Sequence, residues 1–173
     1  QLGRGDGTWA EMAQLSGVKA TEWSWGVTFT DVDLDGYEDL IVATGMIRDF
    51  MDSDSQSRVV DSGRDTNKLE DLLLTREWFP KLPTQNVACR NNGDLTFKYK
   101  SDDWGFSTEA VSGGLAEADF DGDGDLDIIF NNWTSPLEIY RNETVAPRIA
   151  VKLKGYEANS RAIGTKVRLL GGP

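Results

Sequence analysis

Two acidic stretches decide the fold of this chain: Asp31-Val32-Asp33-Leu34-Asp35-Gly36-Tyr37-Glu38-Asp39 and Asp119-Phe120-Asp121-Gly122-Asp123-Gly124-Asp125-Leu126-Asp127. In both stretches, aspartates occupy positions 1, 3, 5 and 9, and a glycine occupies position 6. Carboxylates at alternate positions can wrap one hard cation, position 7 can add its carbonyl oxygen, and glycine permits the sharp turn that this requires. Because four negative charges lie so close together, the pattern predicts one cation in each loop.

Calcium is the cation that suits these loops best, because it accepts roughly six to eight oxygen ligands in flexible geometry, whereas magnesium requires a tight octahedron. An EF-hand is excluded by position 12, where that motif has a bidentate glutamate and this chain has Val42 or Phe130. The apolar runs Leu40-Ile41-Val42 and Ile128-Ile129-Phe130 are typical of strands. Both stretches are therefore interpreted as calcium loops within β-hairpins. The alternative is a pair of solvated Asp-Gly turns that bind no ion.

The two loops are part of an internal repeat with a spacing of 88 residues. When residues 5–42 are placed on residues 93–130 without gaps, 12 of the 38 positions are identical. The identical positions, each matched 88 residues later, are Gly5, Asp6, Thr8, Gly17, Ser24, Gly26, Asp31, Asp33, Asp35, Gly36, Asp39 and Ile41. Most of these residues are Gly or Asp, which set backbone shape or bind ions. Without the segment between the copies, each repeat has about 50 residues, the size of a propeller blade.

The segment between the copies has a different pattern. Leu69, Leu72 and Leu73 have helical spacing, with Asn67 and Glu70 placed as a capping box, and residues 52–65 read as a polar loop. Near the C-terminus, the alternation of apolar residues from 149 to 153 predicts a half-buried strand. The predicted domains are a blade with a calcium loop at 1–45, an insertion with one helix at 46–89, a second such blade at 90–145, and a β segment at 146–173.

Together, these motifs resemble a known family. The Asp loops, Arg90-Asn91-Asn92-Gly93-Asp94 and Tyr140-Arg141-Asn142 are similar to FG-GAP/VCBS repeats, the calcium-loop blades of integrin-α-like β-propellers. Residues 148–172, with Ala162-Ile163-Gly164 and the closing Gly171-Gly172, resemble the start of the ASPIC/UnbV domain of the cartilage-acidic-protein-like family. The resemblance implies that backbone carbonyls of Tyr37 and Asp125 bind calcium. It also implies these carboxylate ligands: Asp31, Asp33, Asp35, Asp39, Asp119, Asp121, Asp123 and Asp127.

The expected fold class is all-β, a partial propeller of about two blades with a helical insertion and a C-terminal β segment. A closed propeller needs roughly four to eight blades. We therefore expect this chain to be part of a longer chain or of an assembly. The resemblance implies a secreted or surface-exposed protein without established catalytic residues.

Composition excludes several classes of function. The net charge is −11, from 18 basic and 29 acidic residues, which argues against binding of nucleic acid. The chain has no His, so it can contain no Ser-His-Asp or Cys-His catalytic set and no His-ligated zinc. No apolar run has the ~18 residues of a membrane span. We expect a non-enzymatic binding or adhesion module with two calcium ions, a protein or glycan partner, and an extracellular, cell-surface or periplasmic location.

The alternative function is a carbohydrate-processing enzyme or an accessory glycan-binding subunit. The carboxylates available for it are Glu38, Asp102, Asp103 and Glu117, but no feature of the sequence pairs them as catalysis requires. The tryptophans at positions 23, 25, 104 and 133 can form an aromatic platform for sugars, although packing between blades is the expected role of most of them. Arg4-Gly5-Asp6 spells an integrin-recognition tripeptide, but its Gly-Asp pair aligns with Gly93-Asp94 and is interpreted as a turn.

Overall fold

Antiparallel strands dominate the computed structural model, which describes residues 1–147, 149, 151–168 and 170. The strands are β1 (Leu2–Gly3), β2 (Trp9–Ala10), β3 (Ser24–Thr30), β4 (Asp39–Thr44), β5 (Thr84–Gln85), β6 (Val87–Asn91), β7 (Phe97–Tyr99), β8 (Glu109–Ala110), β9 (Ser112–Ala118), β10 (Asp127–Asn132) and β11 (Glu138–Tyr140). The helices are α1 (Ala13–Ser16), α2 (Ser53–Asp61), α3 (Leu69–Arg76) and a 3₁₀ turn (Glu157–Asn159).

Two sheets carry the two copies of the repeat. The first sheet has the order β3-β4-β6-β7 and the second has the order β9-β10-β11, with antiparallel pairing throughout. The pairs β1-β2 and β5-β8 form small additional sheets. The predicted all-β class is confirmed. Within the described residues, the strands close into neither a barrel nor a propeller.

The main core lies between the first and second sheets. Because side chains alternate between the two faces of a strand, Ile41 and Ala43 of β4 face the same side, toward Ile128 and Phe130 of β10. Phe106, Phe130 and Tyr140 pack edge to face in this core, with ring centroids 4.5–5.8 Å apart. Burial of these residues brings the two repeats together.

The opposite face of the first sheet holds a second, smaller cluster. Leu40, Val42 and Cys89 are buried there, with Val18 and Phe97 packed against them. Burial raises the pKa of the Cys89 thiol, so this side chain acts as a small apolar core residue rather than a reactive nucleophile.

Glycine allows β3 and β9, which are edge strands of the two sheets, to approach closely. A Cβ atom at Gly26 of β3 would lie 3.1 Å from the Leu115 amide nitrogen and 3.2 Å from the Gly114 Cα of β9. These contacts are tighter than a side chain normally tolerates. Gly26 of the first copy therefore has a packing role, because it lets β3 lie close to β9.

The segment between the copies contains two α-helices, so the prediction of one helix in residues 46–89 was wrong. The first of them, α2, lies within the stretch predicted to be a polar loop. Its N-cap is Asp52, whose side chain accepts a hydrogen bond from the Ser55 amide at 2.8 Å. A strong cap starts a helix here although the sequence lacks an apolar stripe, which is why periodicity failed to predict it.

The second helix, α3, forms where the leucine spacing predicted it, but its cap differs. The N-cap residue is Lys68 and no side chain caps it, while Asn67 donates from its amide nitrogen to Asp65 at 3.0 Å. The predicted capping box was therefore wrong. Leu69, Leu72 and Leu73 are about half exposed or more, so the predicted apolar face is not buried.

The first sheet also crosses the domain boundaries predicted at 45/46 and 89/90. Strand β4 lies before the helical segment and β6 lies after it, and the two strands pair, with Ile41 opposite Ala88. The described residues between 146 and 170 form no strand. For the described residues of the strand predicted at 149–153, which are 149 and 151–153, the prediction was wrong: their apolar side chains, such as Val151, are exposed, and no described sheet edge pairs with them. Arg148, Ala150, Gly171 and Gly172 lie outside the described residues. None of the described helices has the length or apolar character needed to cross a membrane.

Candidate metal sites

Each acidic loop connects the first two strands of its sheet, and its first aspartate organises the turn. Asp31 accepts hydrogen bonds from the Asp35 amide at 3.0 Å and from the Gly36 amide at 2.9 Å. Asp119 does the same in the second loop, with the Asp123 and Gly124 amides at 3.1 Å. The glycines at position 6 have φ values of +91° and +95°, which favour glycine. The predicted need for glycine at this position is thereby confirmed.

The ninth aspartate of each loop is fully buried and ties the loop to a neighbouring strand. Asp39 accepts from the Val32 amide at 3.0 Å and from the Asn91 amide at 2.8 Å. Asp127 accepts from the Phe120 amide at 2.9 Å and from the Asn142 amide at 2.8 Å. The two copies therefore use the same closure, in which an Asn that follows an Arg supplies the second amide.

The structure brings together three of the four predicted carboxylates in each loop. Ligand oxygens of Asp31, Asp33 and Asp39 lie within 4.8 Å of one another, and so do those of Asp119, Asp121 and Asp127. Such a spacing allows one cation to contact all three carboxylates of a set.

The remaining predicted ligands are placed differently. Asp35 lies outside the first set of three, where it accepts from the Tyr37 amide at 2.9 Å and pairs with Arg90. Asp123 lies outside the second set and accepts from the Asp125 amide at 3.2 Å. Metal ligation by these two carboxylates, and by the carbonyls of residues 37 and 125, stays a prediction.

Two features of the first loop fit a cation. Asp33 Oδ1 is buried and has no hydrogen-bond partner among the described residues. Burial also raises the pKa of the Asp39 carboxyl from its ordinary value of 3.8 to about 6, with the charges of Asp33 and Asp35 adding to the rise while hydrogen bonds from two amides oppose it. A cation among these oxygens would satisfy the orphaned atom and favour the ionised carboxylates. The donor set therefore fits a hard, oxygen-binding cation such as calcium.

Sequence reasoning missed the role of two arginines. Arg90 forms ion pairs with both Asp33 and Asp35, and the hydrogen bond to Asp33 raises the pKa of this arginine. Arg141 pairs with Asp121 at 2.6 Å in the second loop. The signal was present in the sequence, because an Arg-Asn dipeptide ends strand β6 at 90–91 and another follows strand β11 at 141–142.

The same Asn142 joins the two loops. Its backbone amide binds Asp127 of the second loop, and its side-chain amide donates to the Val32 carbonyl of the first loop at 2.8 Å. Thr144 donates to the same carbonyl from its hydroxyl at 3.1 Å. These hydrogen bonds therefore couple the position of the second loop to the backbone of the first loop at Val32.

Three of the four carboxylates available for an enzyme have separate partners. Glu117 accepts from the Thr28 hydroxyl at 3.4 Å, Asp102 accepts from Gln85 at 2.7 Å, and Asp103 pairs with Lys100 at 2.5 Å. Within the described part of the chain, the acidic groups close enough to share an ion are the two loop sets.

The turn and aromatic residues singled out in the sequence are also placed. Asp6 of the Arg-Gly-Asp tripeptide accepts from the Thr8 amide at 2.9 Å, as Asp94 does from the Thr96 amide at 3.0 Å, so the turn interpretation is confirmed. Trp104 packs against the main core. The other three tryptophans singled out lie together at one end of the two sheets.

Comparison with protein families gives a match over part of the chain that includes the second copy of the repeat. Residues 65–130 match the family model described as FG-GAP-like repeat. This stretch includes helix α3, strands β6 and β7 of the first sheet, and the second acidic loop. No curated protein matches the chain. The ASPIC/UnbV resemblance of the C-terminal residues has no counterpart in these matches. This chain is similar to FG-GAP-like repeats over residues 65–130.

Proposed function

We propose that this chain is a non-enzymatic, calcium-binding module of an extracytoplasmic protein that binds or adheres to a protein or glycan partner. The observation that carries the proposal is the recurrence of one hydrogen-bond network around three converging carboxylates in two loops 88 residues apart. The match to FG-GAP-like repeats supports it, because such repeats are found in extracellular adhesion-type modules. An extracellular, cell-surface or periplasmic location follows from the same argument.

Calcium would act as a structural ion in this proposal. Asp31, Asp33 and Asp39 would hold one ion, and Asp119, Asp121 and Asp127 the other. The ions would offset the repulsion among the carboxylates and hold the β-hairpins rigid. An ion that binds only the folded state adds about 2.7 kcal/mol of stability when its concentration is 100 times its Kd.

The test is thermal unfolding of the chain in calcium, in magnesium and in EDTA, combined with isothermal titration of calcium. We expect calcium to raise the melting temperature more than magnesium does, with a stoichiometry of two. Asp33→Asn and Asp121→Asn should each remove one site and about 2.7 kcal/mol of the calcium-dependent stability at 100 times Kd, with a small effect in EDTA. Asp61→Asn is the matched control, because that carboxylate is exposed on α2 away from the loops.

Two outcomes would contradict the proposal. One is an equal loss of stability in calcium and in EDTA for both loop variants, which would mean that these carboxylates serve the fold alone. The other is turnover of a polysaccharide that Glu117→Gln abolishes, which would favour the enzymatic alternative.

A further inference from the structure

Three tryptophans form a continuous aromatic surface, here named the tryptophan shelf, made of Trp23, Trp25 and Trp133. The rings of Trp23 and Trp25 are nearly parallel, at 16°, with centroids 6.2 Å apart, and the Trp25 and Trp133 centroids are 5.9 Å apart. Trp25 is 41% exposed and Trp133 is 56% exposed. Large, exposed and adjacent indoles are unusual on a surface with no ligand, because their burial would be strongly favourable.

The repeat shows that both copies supply an indole at this place, but from opposite strands. Position 25 is Trp where the second copy has Gly113, and position 45 is Gly where the second copy has Trp133. In the second copy, the indole of Trp133, just after β10, occupies the space beside Gly113 of β9, where a Cβ atom would collide with the ring. In the first copy, the indole of Trp25 in β3 contacts the Gly45 carbonyl, while a Cβ atom at Gly45 would collide with the Ala110 carbonyl. Glycine therefore makes room for an indole at position 113, and for the Ala110–Val111 backbone at position 45.

The rings are held in fixed orientations. The indole nitrogen of Trp25 donates to the Gly45 carbonyl at 2.6 Å. The Trp133 backbone amide donates to the Val111 carbonyl at 2.8 Å, and a Cβ atom at Gly113 would collide with the Trp133 ring. A rigid aromatic surface loses little conformational entropy when a ligand binds to it.

The surroundings of the shelf indicate the chemistry of the ligand. A shallow, open surface cavity lies beside Trp23, lined by the polar residues Thr21, Glu22, Ser24 and Asp49 and by the apolar residues Met51 and Leu82. The polar groups are hydroxyls and carboxylates, and no basic residue is among the described residues that line the cavity. Such groups can hydrogen-bond sugar hydroxyls, whereas they repel phosphate, sulfate and carboxylate groups. A pyranose ring combines an apolar C–H face, which packs on an indole, with a rim of hydroxyls.

We propose that the tryptophan shelf binds an uncharged oligosaccharide, with pyranose faces packed on Trp25 and Trp133 and hydroxyls directed into the cavity beside Trp23. This inference deepens the proposed binding function and rests on it, because it names the class of partner. Anionic glycans are disfavoured by the local carboxylates and by the net charge of −11.

The experiment screens the intact chain, in calcium, on an array of immobilised uncharged glycans that includes cellohexaose, mannohexaose and chitohexaose, with a heparin hexasaccharide as the anionic comparison. Positive glycans are then titrated in solution by calorimetry with Trp25→Ala and Trp133→Ala. The matched control is Trp9→Ala, because Trp9 is 66% exposed on β2 and lies outside the shelf. Thermal unfolding of every variant checks that the fold is intact.

We expect binding of at least one uncharged glycan, a loss of about tenfold or more in affinity for each shelf variant, and no change for Trp9→Ala. Absence of binding across the uncharged glycans, or equal affinities for shelf and control variants, would overturn the inference. Self-association that Trp133→Ala abolishes would also overturn it, by assigning the shelf to a second copy of this chain. Because calcium binding is read from the Asp33→Asn and Asp121→Asn variants, a failure of the calcium proposal is distinguishable from a failure at the shelf.

Discussion

The first and second acidic loops have the same backbone scaffold but differ in backbone strain and in their contacts with arginine. In both, the first aspartate gathers the turn amides, and the ninth joins the loop to an Asn amide on a neighbouring segment. At position 4, however, the first loop has Leu34 at φ +58° and the second has Gly122 at φ +79°. The left-handed region suits glycine and strains leucine.

The arginines differ as well. Arg90 contacts two carboxylates of the first loop, whereas Arg141 contacts one carboxylate of the second loop and also Glu143 at 3.2 Å. The comparison shows which parts of the loop are interchangeable. Hydrogen bonds from backbone amides set the shape in both copies, while contacts with arginine and local strain vary around that shape. We therefore expect the two sites to share a structure and to differ in calcium affinity.

The largest expected effect comes from removing the closure that the two loops share. Asp39→Ala and Asp127→Ala each leave two partly buried backbone amides without their acceptor and remove a proposed ligand. We expect a loss of about 4 kcal/mol in calcium and about 2 kcal/mol in EDTA, where relief of the buried charge offsets part of the cost. Denaturant unfolding under both conditions measures these values. A cost confined to one copy would show that the two closures are not equivalent.

The strain at position 4 predicts a smaller effect with opposite signs in the two loops. Leu34→Gly should stabilise the metal-free protein by up to about 1 kcal/mol, because glycine adopts the observed φ without strain. Gly122→Ala should destabilise it by about 1 kcal/mol, and by strain alone, since a Cβ atom there would meet nothing within 4 Å. Thermal unfolding in EDTA tests both variants. Destabilisation by Leu34→Gly would mean that the leucine side chain contributes more by packing than its backbone costs.

The smallest effect concerns the arginines. Replacing a positive charge beside a cation site should raise the affinity for calcium, and more so where the arginine contacts more carboxylates. We expect Arg90→Gln to tighten the first site by roughly threefold, and Arg141→Gln to tighten the second site by less, because this arginine is more exposed and better screened. Calcium titration of Arg90→Gln in an Asp121→Asn background reports on the first site alone. Titration of Arg141→Gln in an Asp33→Asn background reports on the second site alone. A weaker first site in Arg90→Gln would show that Arg90 positions the ligands instead of competing with the ion.

Local patterns explain what could be predicted at the candidate site. The spacing of aspartates and the glycine at position 6 were sufficient to predict both loops, because the contacts that shape them join residues no more than seven positions apart. The apolar runs after the loops predicted β4 and β10 because they are too short for a helix and rich in β-branched residues, and β4 is indeed buried along its whole length. The closure by Asn91, 52 positions from Asp39, could not be read from a local pattern.

Periodicity failed where burial did not determine the structure. Helix α2 begins at an Asp cap and has no apolar stripe, so a hydrophobic pattern could not reveal it. The alternation at 149–153 predicted a strand, but no sheet edge in the described part of the chain pairs with those of its residues that the structure describes. A strand without a partner has unsatisfied backbone groups.

By itself, the sequence determined that this chain has β-hairpins with acidic loops, because a repeat of Gly and Asp specifies local backbone shape. Only the tertiary structure decided which residues meet across the two copies. The core between the sheets, the link from Asn142 to the first loop and the tryptophan shelf all join residues far apart in sequence. Their contacts depend on how one sheet packs against the other, and that packing results from burial of apolar surface over the whole molecule.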